Sequence, residues 1–157
     1  MDWSRSLRRR ARLILSIPPR EFALTTRSLL ALTVAHAGLR YRDFRTAQRA
    51  VDSIATRGRA RTGHDRGHSV VNAVENATAI IPVSITCLPR ALVMDALLRS
   101  SGIASVLRIG VASVDGTVTA HAWVEVDGAP VADRSDVAAT YAAFDGPITD
   151  RIVASMA

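Results

Sequence analysis

The chain has 157 residues, enough for one domain with a usable core, and its 48% apolar and 22% charged content excludes a disordered or fibrous chain. A single cysteine, Cys87, excludes both an internal disulfide framework and a Cys-rich zinc site. The net charge of +6 conceals an asymmetry: residues 1–66 hold 15 Arg against 5 acidic residues, and residues 67–157 hold 5 Arg against 9.

Every basic residue apart from histidine is Arg, and with aromatics at only 4% the core must be built from Ala, Val, Leu and Ile. The first predicted element is a short basic helix over residues 4–16, which stops before Pro18-Pro19 because the residue before proline avoids the α region. Its Leu13–Ile17 run is too short for the apolar core of a secretion signal. Pro19 can sit in the first turn of a second helix running to about Gly38. The apolar stretch Phe22–Leu39 in that helix is interrupted by Arg27 and His36 and lies near the lower length limit for a membrane span. The reading is therefore a soluble, cytoplasmic protein with at most a peripheral membrane surface. A third helix over 43–57 places Phe44, Ala47, Val51 and Ile54 on one side.

Residues 58–68, GRARTGHDRGH, read as a surface loop and set the expected division. Residues 1–62 form an Arg-rich helical region, and residues 63–157 form the core. A fourth helix over 69–81 leads to Pro82. Residues 87–101 then form an amphipathic helix, with Leu88, Ala91, Leu92, Asp95 and Leu98 at helical spacing and Gly102 as its stop. Two β segments follow, Ser105–Ser113 and Thr117–Val126, joined through Asp115-Gly116. A turn at Asp127-Gly128 leads to a short third strand, Pro130–Asp133. The Ala-rich remainder carries no signal. The fold class expected is α+β, with the Cys-bearing helix packed on an antiparallel sheet.

Cys87 has three readings: a buried small hydrophobe, a lone metal ligand, or a nucleophile. A nucleophilic cysteine needs a base within reach and a third group to hold that base in one tautomer. Cys87 falls at a helix N-terminus, where free N–H groups and the helix dipole favour a thiolate and supply donors for an oxyanion. His121 lies within Val118–Val126, where alternation gives it one face with Trp123 and Glu125, while Ala122, Val124 and Val126 take the other. Asp133 is chosen from strand register. A two-residue turn at Asp127-Gly128 would place it opposite Ala122, on the wrong face. A three-residue loop of Val126, Asp127 and Gly128 pairs Glu125 with Ala129, and so His121 with Asp133.

The segment Cys87-Leu-Pro-Arg-Ala-Leu-Val-Met-Asp-Ala-Leu-Leu-Arg-Ser-Ser-Gly102, with Leu107–Val111, Ala120-His-Ala-Trp-Val-Glu125 and Val131-Ala-Asp133, resembles the transglutaminase-like cysteine peptidases of lasso-peptide biosynthesis. The similarity runs over about residues 84–136, and the Arg-rich helical N-terminus suits the stand-alone form of the peptidase. The resemblance implies Cys87 as nucleophile, His121 as general base and Asp133 as orienting acid. It implies removal of a leader from a ribosomally made precursor, through a thioester and without metal or organic cofactor. The implied partners are the precursor peptide, a small leader-binding (PqqD-like) protein and an ATP-dependent lasso cyclase. Pro89 departs from a regular helix but is tolerated in its first turn.

Two further residues are candidates for substrate binding. Arg90, one turn after Cys87, steadies the thiolate or a peptide carbonyl, or else faces solvent. Trp123 walls the cleft or packs the core. The pair His64 and His68 imitates a metal site, although Gly67 breaks a helix there and a flexible polar loop is the simpler reading. Asn76-Ala-Thr78 matches a glycosylation pattern that carries no weight without a secretory signal. Two alternatives stay open: acyl transfer to an amine by the same three residues, and a catalytically degenerate module that uses the basic half to hold a precursor. Nucleic acid is not expected, since the Arg-rich half offers no aromatic stacking platform.

Overall fold

The structure is a computed structural model that describes residues 3–57, 66–114 and 116–144. Along these residues run α1 (Trp3–Ser16), α2 (Pro19–Tyr41), α3 (Phe44–Thr56), α4 (Arg66–Ile80) and α5 (Cys87–Ser100). They are followed by β1 (Ser105–Val114), β2 (Thr117–Val126), β3 (Ala129–Val131), α6 (Val137–Thr140) and β4 (Ala142–Ala143). The architecture is α+β, as the sequence pattern implies. Residues 58–65 of the Gly-rich loop, including His64 and the expected boundary, lie outside the described residues.

Local chemistry accounts for the helix starts. Pro18 is extended (φ −59°, ψ 142°), which leaves Pro19 in the first turn of α2, where its missing N–H costs nothing. Asp43 caps α3: Oδ1 accepts from the Thr46 N–H at 2.9 Å and Oδ2 from the Thr46 hydroxyl at 2.7 Å. Small residues let α2 and α3 approach closely. A Cβ added at Gly38 would stand 2.8 Å from the Ala47 Cβ. This is how a chain poor in aromatics closes its core.

Helix α5 is the centre of the molecule. It packs on α2, α3 and α4, and also on β1 and β2. The sequence suggests an amphipathic helix, yet Ala91 to Leu98 are all buried, because helices cover one side and the sheet the other. Leu92, Leu97 and Leu98 are essentially inaccessible, and each contributes about 1.5–3 kcal/mol by burial. Asp95 is tolerated in this core because Arg99 Nε donates to it at 2.9 Å and Ser105 Oγ at 2.7 Å. On length and composition Glu21–Tyr41 of α2 could cross a membrane, but Ala31, Leu32 and Ala35 of this helix belong to the same core as α5.

Among the described residues one four-stranded sheet has the order β3-β2-β1-β4. β1 and β2 pair antiparallel over ten residues, with Ile109 opposite Ala122 and Leu107 opposite Val124. These four residues, with Val126, are what β1 and β2 contribute to the core with α5. The other face carries Gly110 opposite His121 and Arg108 opposite Trp123.

Candidate active site

The first residue of α5 is Cys87, which is half-buried. Thr86 before it is extended (φ −76°, ψ 172°) and makes no side-chain capping bond. Pro89, third in the helix, has no N–H, so the forward-pointing donors of this turn are the N–H groups of Cys87 and Leu88. Cys87, Arg90, Ala91 and Met94 line one cleft with Ala122–Val124 of β2 and with Val131, Ala132 and Asp133.

His121 stands in the middle of β2 and shares a three-ring cluster with Trp123 and Tyr141, whose own centroids are 6.4 Å apart. The Tyr141 ring is 5.1 Å away at a 35° tilt, and Trp123 is 6.3 Å away and near parallel at 13°. Trp123 is 1% exposed. Its Nε1 donates to Glu125 Oε1 at 3.0 Å, and Arg108 Nε donates to Glu125 Oε2 at 3.0 Å. This chain of bonds fixes the indole, and the indole flanks the imidazole. A Cβ at Gly110 would fall 3.0 Å from Trp123 Cη2 and 2.9 Å from the Ala142 carbonyl oxygen, so glycine is what lets the indole and β4 close over β1.

Asp133 reaches His121 by a route the register argument does not contain. The turn has two residues: Val126 pairs with Ala129, and both Asp127 (φ 51°) and Gly128 (φ 77°) are left-handed. A tight Asp-Gly turn with both central residues at positive φ matches the twist of the flanking strands, so it wins over the expected three-residue loop. That register continued would put Asp133 opposite Ala122. The ladder instead ends at Val131, short of the expected strand end, and Ala132 turns left-handed at φ 54°. The chain leaves the sheet there and swings Asp133 round. Asp133 Oδ2 then lies 2.9 Å from His121 Nε2, and Oδ1 accepts from the Arg134 N–H at 2.8 Å.

Of the other acids near the turn, Asp136 is otherwise engaged. Arg134 donates to both oxygens of Asp136, at 3.0 and 2.6 Å, and this bonding holds the Asp136 carboxyl below the usual carboxylate range. Asp127 is exposed in the turn.

Arg90 lines the cleft with Cys87, and its guanidinium is bonded to protein groups as well as part-exposed. Its Nε donates to Glu75 Oε1 at 2.8 Å, and its Nη2 donates to the Ala132 carbonyl at 2.6 Å. His68 lies in α4, and among the described residues no group of three metal-ligating side chains occurs. Among the described residues no hydrogen bond joins Cys87 to His121.

Sequence reasoning did not single out Glu75, Ala132 or Tyr141. Glu75 is one polar residue on an ordinary helix, and Tyr141 falls in the Ala-rich stretch without a pattern. The left-handed backbone of Ala132 has no local signal, since alanine does not favour that conformation.

A helix-borne cysteine, an antiparallel sheet carrying a histidine, and an aspartate bonded to that histidine define a class. The Transglutaminase-like superfamily model matches residues 29–144, and the chain belongs to that superfamily. The superfamily is associated with cysteine peptidase and acyltransferase activity. No curated protein and no solved structure matches the chain.

Proposed function

We propose that this chain is a cysteine peptidase that removes the leader from a ribosomally made lasso-peptide precursor. The observation that carries the reading is the His121–Asp133 bond of 2.9 Å beside a cleft that Cys87 and Asp133 both line. An ionised carboxylate can only accept, so Asp133 keeps the hydrogen on Nε2 and leaves Nδ1 as the basic nitrogen.

In the proposed reaction Nδ1 takes the thiol proton of Cys87, and Sγ attacks the scissile carbonyl carbon. The carbonyl oxygen becomes an oxyanion, for which the N–H groups of Cys87 and Leu88 are the nearest donors on α5. Collapse breaks the C–N bond, and the imidazolium returns its proton to the departing amine. Water, deprotonated by the same nitrogen, then hydrolyses the thioester and restores the thiol. Asp133 orients the imidazole and stabilises its charged form without itself becoming protonated.

The resemblance over residues 84–136 is the support for a leader peptide as substrate. It also supports a small leader-binding protein and a lasso cyclase as partners, and the cytoplasm as the setting. The test is mass spectrometry of a co-encoded precursor incubated with the enzyme and the leader-binding protein. Cleavage into leader and core fragments that Cys87→Ala abolishes is the expected result. A leader fragment joined through its terminal carbonyl to an added amine would assign acyl transfer instead. Cleavage that persists in Cys87→Ala, or its absence with every partner present, would overturn the reading.

A further inference from the structure

Asp133 meets His121 only because the chain leaves the β ladder at Ala132, so whatever holds Ala132 also sets the pair. Ala132 is the second of two non-glycine residues at positive φ among the described residues, and unlike Asp127 it is not part of a two-residue hairpin turn. Nothing intrinsic to alanine favours that conformation. It persists where the surroundings over-determine it.

The side chain bonded to this residue is Arg90. Its Nη2 donates to the Ala132 carbonyl at 2.6 Å, a short, charge-assisted bond. Its Nε and Nη2 both reach Glu75 Oε1, at 2.8 and 2.7 Å, so α4 fixes the direction of the guanidinium. The side chain is 28% exposed, and its backbone is anchored in the first turn of the helix that Cys87 opens. One residue thus ties α4, the start of α5 and the turn after β3 together. The bonded carbonyl belongs to the peptide unit immediately before Asp133.

We propose that Arg90 is a positioning residue: held by Glu75, it pins the Ala132 carbonyl and thereby aims Asp133 at His121. In this role it acts through Asp133, not on the scissile bond or the thiol. The proposal rests on the reading of Asp133 as the orienting acid. It assigns Arg90 a task different from holding substrate.

The test reads the imidazole directly. Long-range proton–nitrogen NMR of the full-length protein, at a pH where the ring is neutral, reports which nitrogen of His121 carries hydrogen. With 4 histidines in the chain, a His121→Gln variant assigns the signal. The wild type is expected to show the Nε2–H form, and Asp133→Asn a mixture. Arg90→Met should shift towards the same mixture and add nothing when combined with Asp133→Asn. Glu75→Gln should move it less, in the same direction, and serves if Arg90→Met does not fold. Precursor turnover in Arg90→Met should fall by roughly 10²-fold, as for a group misplaced by about an ångström, with KM unchanged.

An unchanged His121 signal in Arg90→Met, or in Glu75→Gln where Arg90→Met does not fold, would overturn the proposal. So would a rise in KM that persists in the Asp133→Asn background, which would make Arg90 a substrate contact. A ring that responds as expected in a protein whose Cys87→Ala variant still cleaves the precursor would uphold the positioning role while removing the peptidase reading.

Discussion

His121 Nε2 and Asp133 Oδ2 are 2.9 Å apart although the ladder between their strands ends two residues before Asp133. The pair is therefore made by a break in the sheet, at Ala132, rather than by cross-strand register. The consequences of that geometry can be measured.

Asp133→Asn should leave the thermal melt nearly unchanged and lower precursor turnover by roughly 10³- to 10⁴-fold, because the amide can set the wrong imidazole tautomer. Asp136→Asn should cost less than tenfold by the same reasoning, since Asp136 is bonded to Arg134 and not to the ring. Steady-state kinetics on the two variants, with melts alongside, checks both expectations. Equal loss in the two would show that the 2.9 Å bond does not orient the histidine.

Ala132 should respond to side-chain shape in an unusual order. Ala132→Gly removes the penalty of the left-handed backbone and should keep turnover, with stability changed by no more than about 1 kcal/mol. Ala132→Val forces a β-branched residue into positive φ and should cost about 1–2 kcal/mol together with most of the activity. Urea titrations measure the stability difference, and the same samples serve for kinetics. A valine variant as stable and active as the wild type would mean that the turn is not held at φ 54° in solution.

Gly110→Ala tests the far face of the sheet. The new methyl would lie 2.9 Å from the Ala142 carbonyl oxygen and 3.0 Å from Trp123 Cη2, so either β4 or the indole must move. Overpacking of this kind costs about 1–3 kcal/mol. Because the indole flanks His121, turnover should fall with stability, and the near-ultraviolet circular dichroism of the indole should change. A variant with wild-type melt and spectrum would show that this face has room to spare.

Asp43 gives a pH prediction. The Thr46 N–H, then its hydroxyl, hold the carboxyl below its ordinary value of 3.8. A lowered folded value means the cap stabilises fully above 3.8, and the contribution is lost as pH falls through the lower, folded value. The melting temperature of Asp43→Ala should accordingly lie below that of the wild type at neutral pH, and the gap should close in acid. A gap that is constant from neutral pH into acid would assign the effect to helix propensity instead.

Much of this architecture is written in local chemistry. Pro18-Pro19 separates α1 from α2, Asp43 starts α3, and the alternation of Val118–Val126 puts His121, Trp123 and Glu125 on one face before any tertiary contact is considered. The five long helices and the β1–β2 hairpin fall within about three residues of their expected ends. These features depend on neighbours in the chain, so a sequence reading can reach them. Cys87 at a helix start and His121 within a strand are legible for the same reason.

Asp133 was singled out by a register that the protein does not use. The Asp-Gly turn is tighter than expected, and the aspartate reaches the histidine through a left-handed alanine whose carbonyl is held by Arg90 and, behind it, Glu75. Those contacts span 42 and 15 residues, from Arg90 to Ala132 and to Glu75. Sequence by itself determined which elements form and which faces they present, because hydrogen bonding and hydrophobic periodicity act over a few residues. The tertiary structure alone decided where the chain abandons the sheet, because a backbone conformation that alanine disfavours exists only while distant side chains hold it.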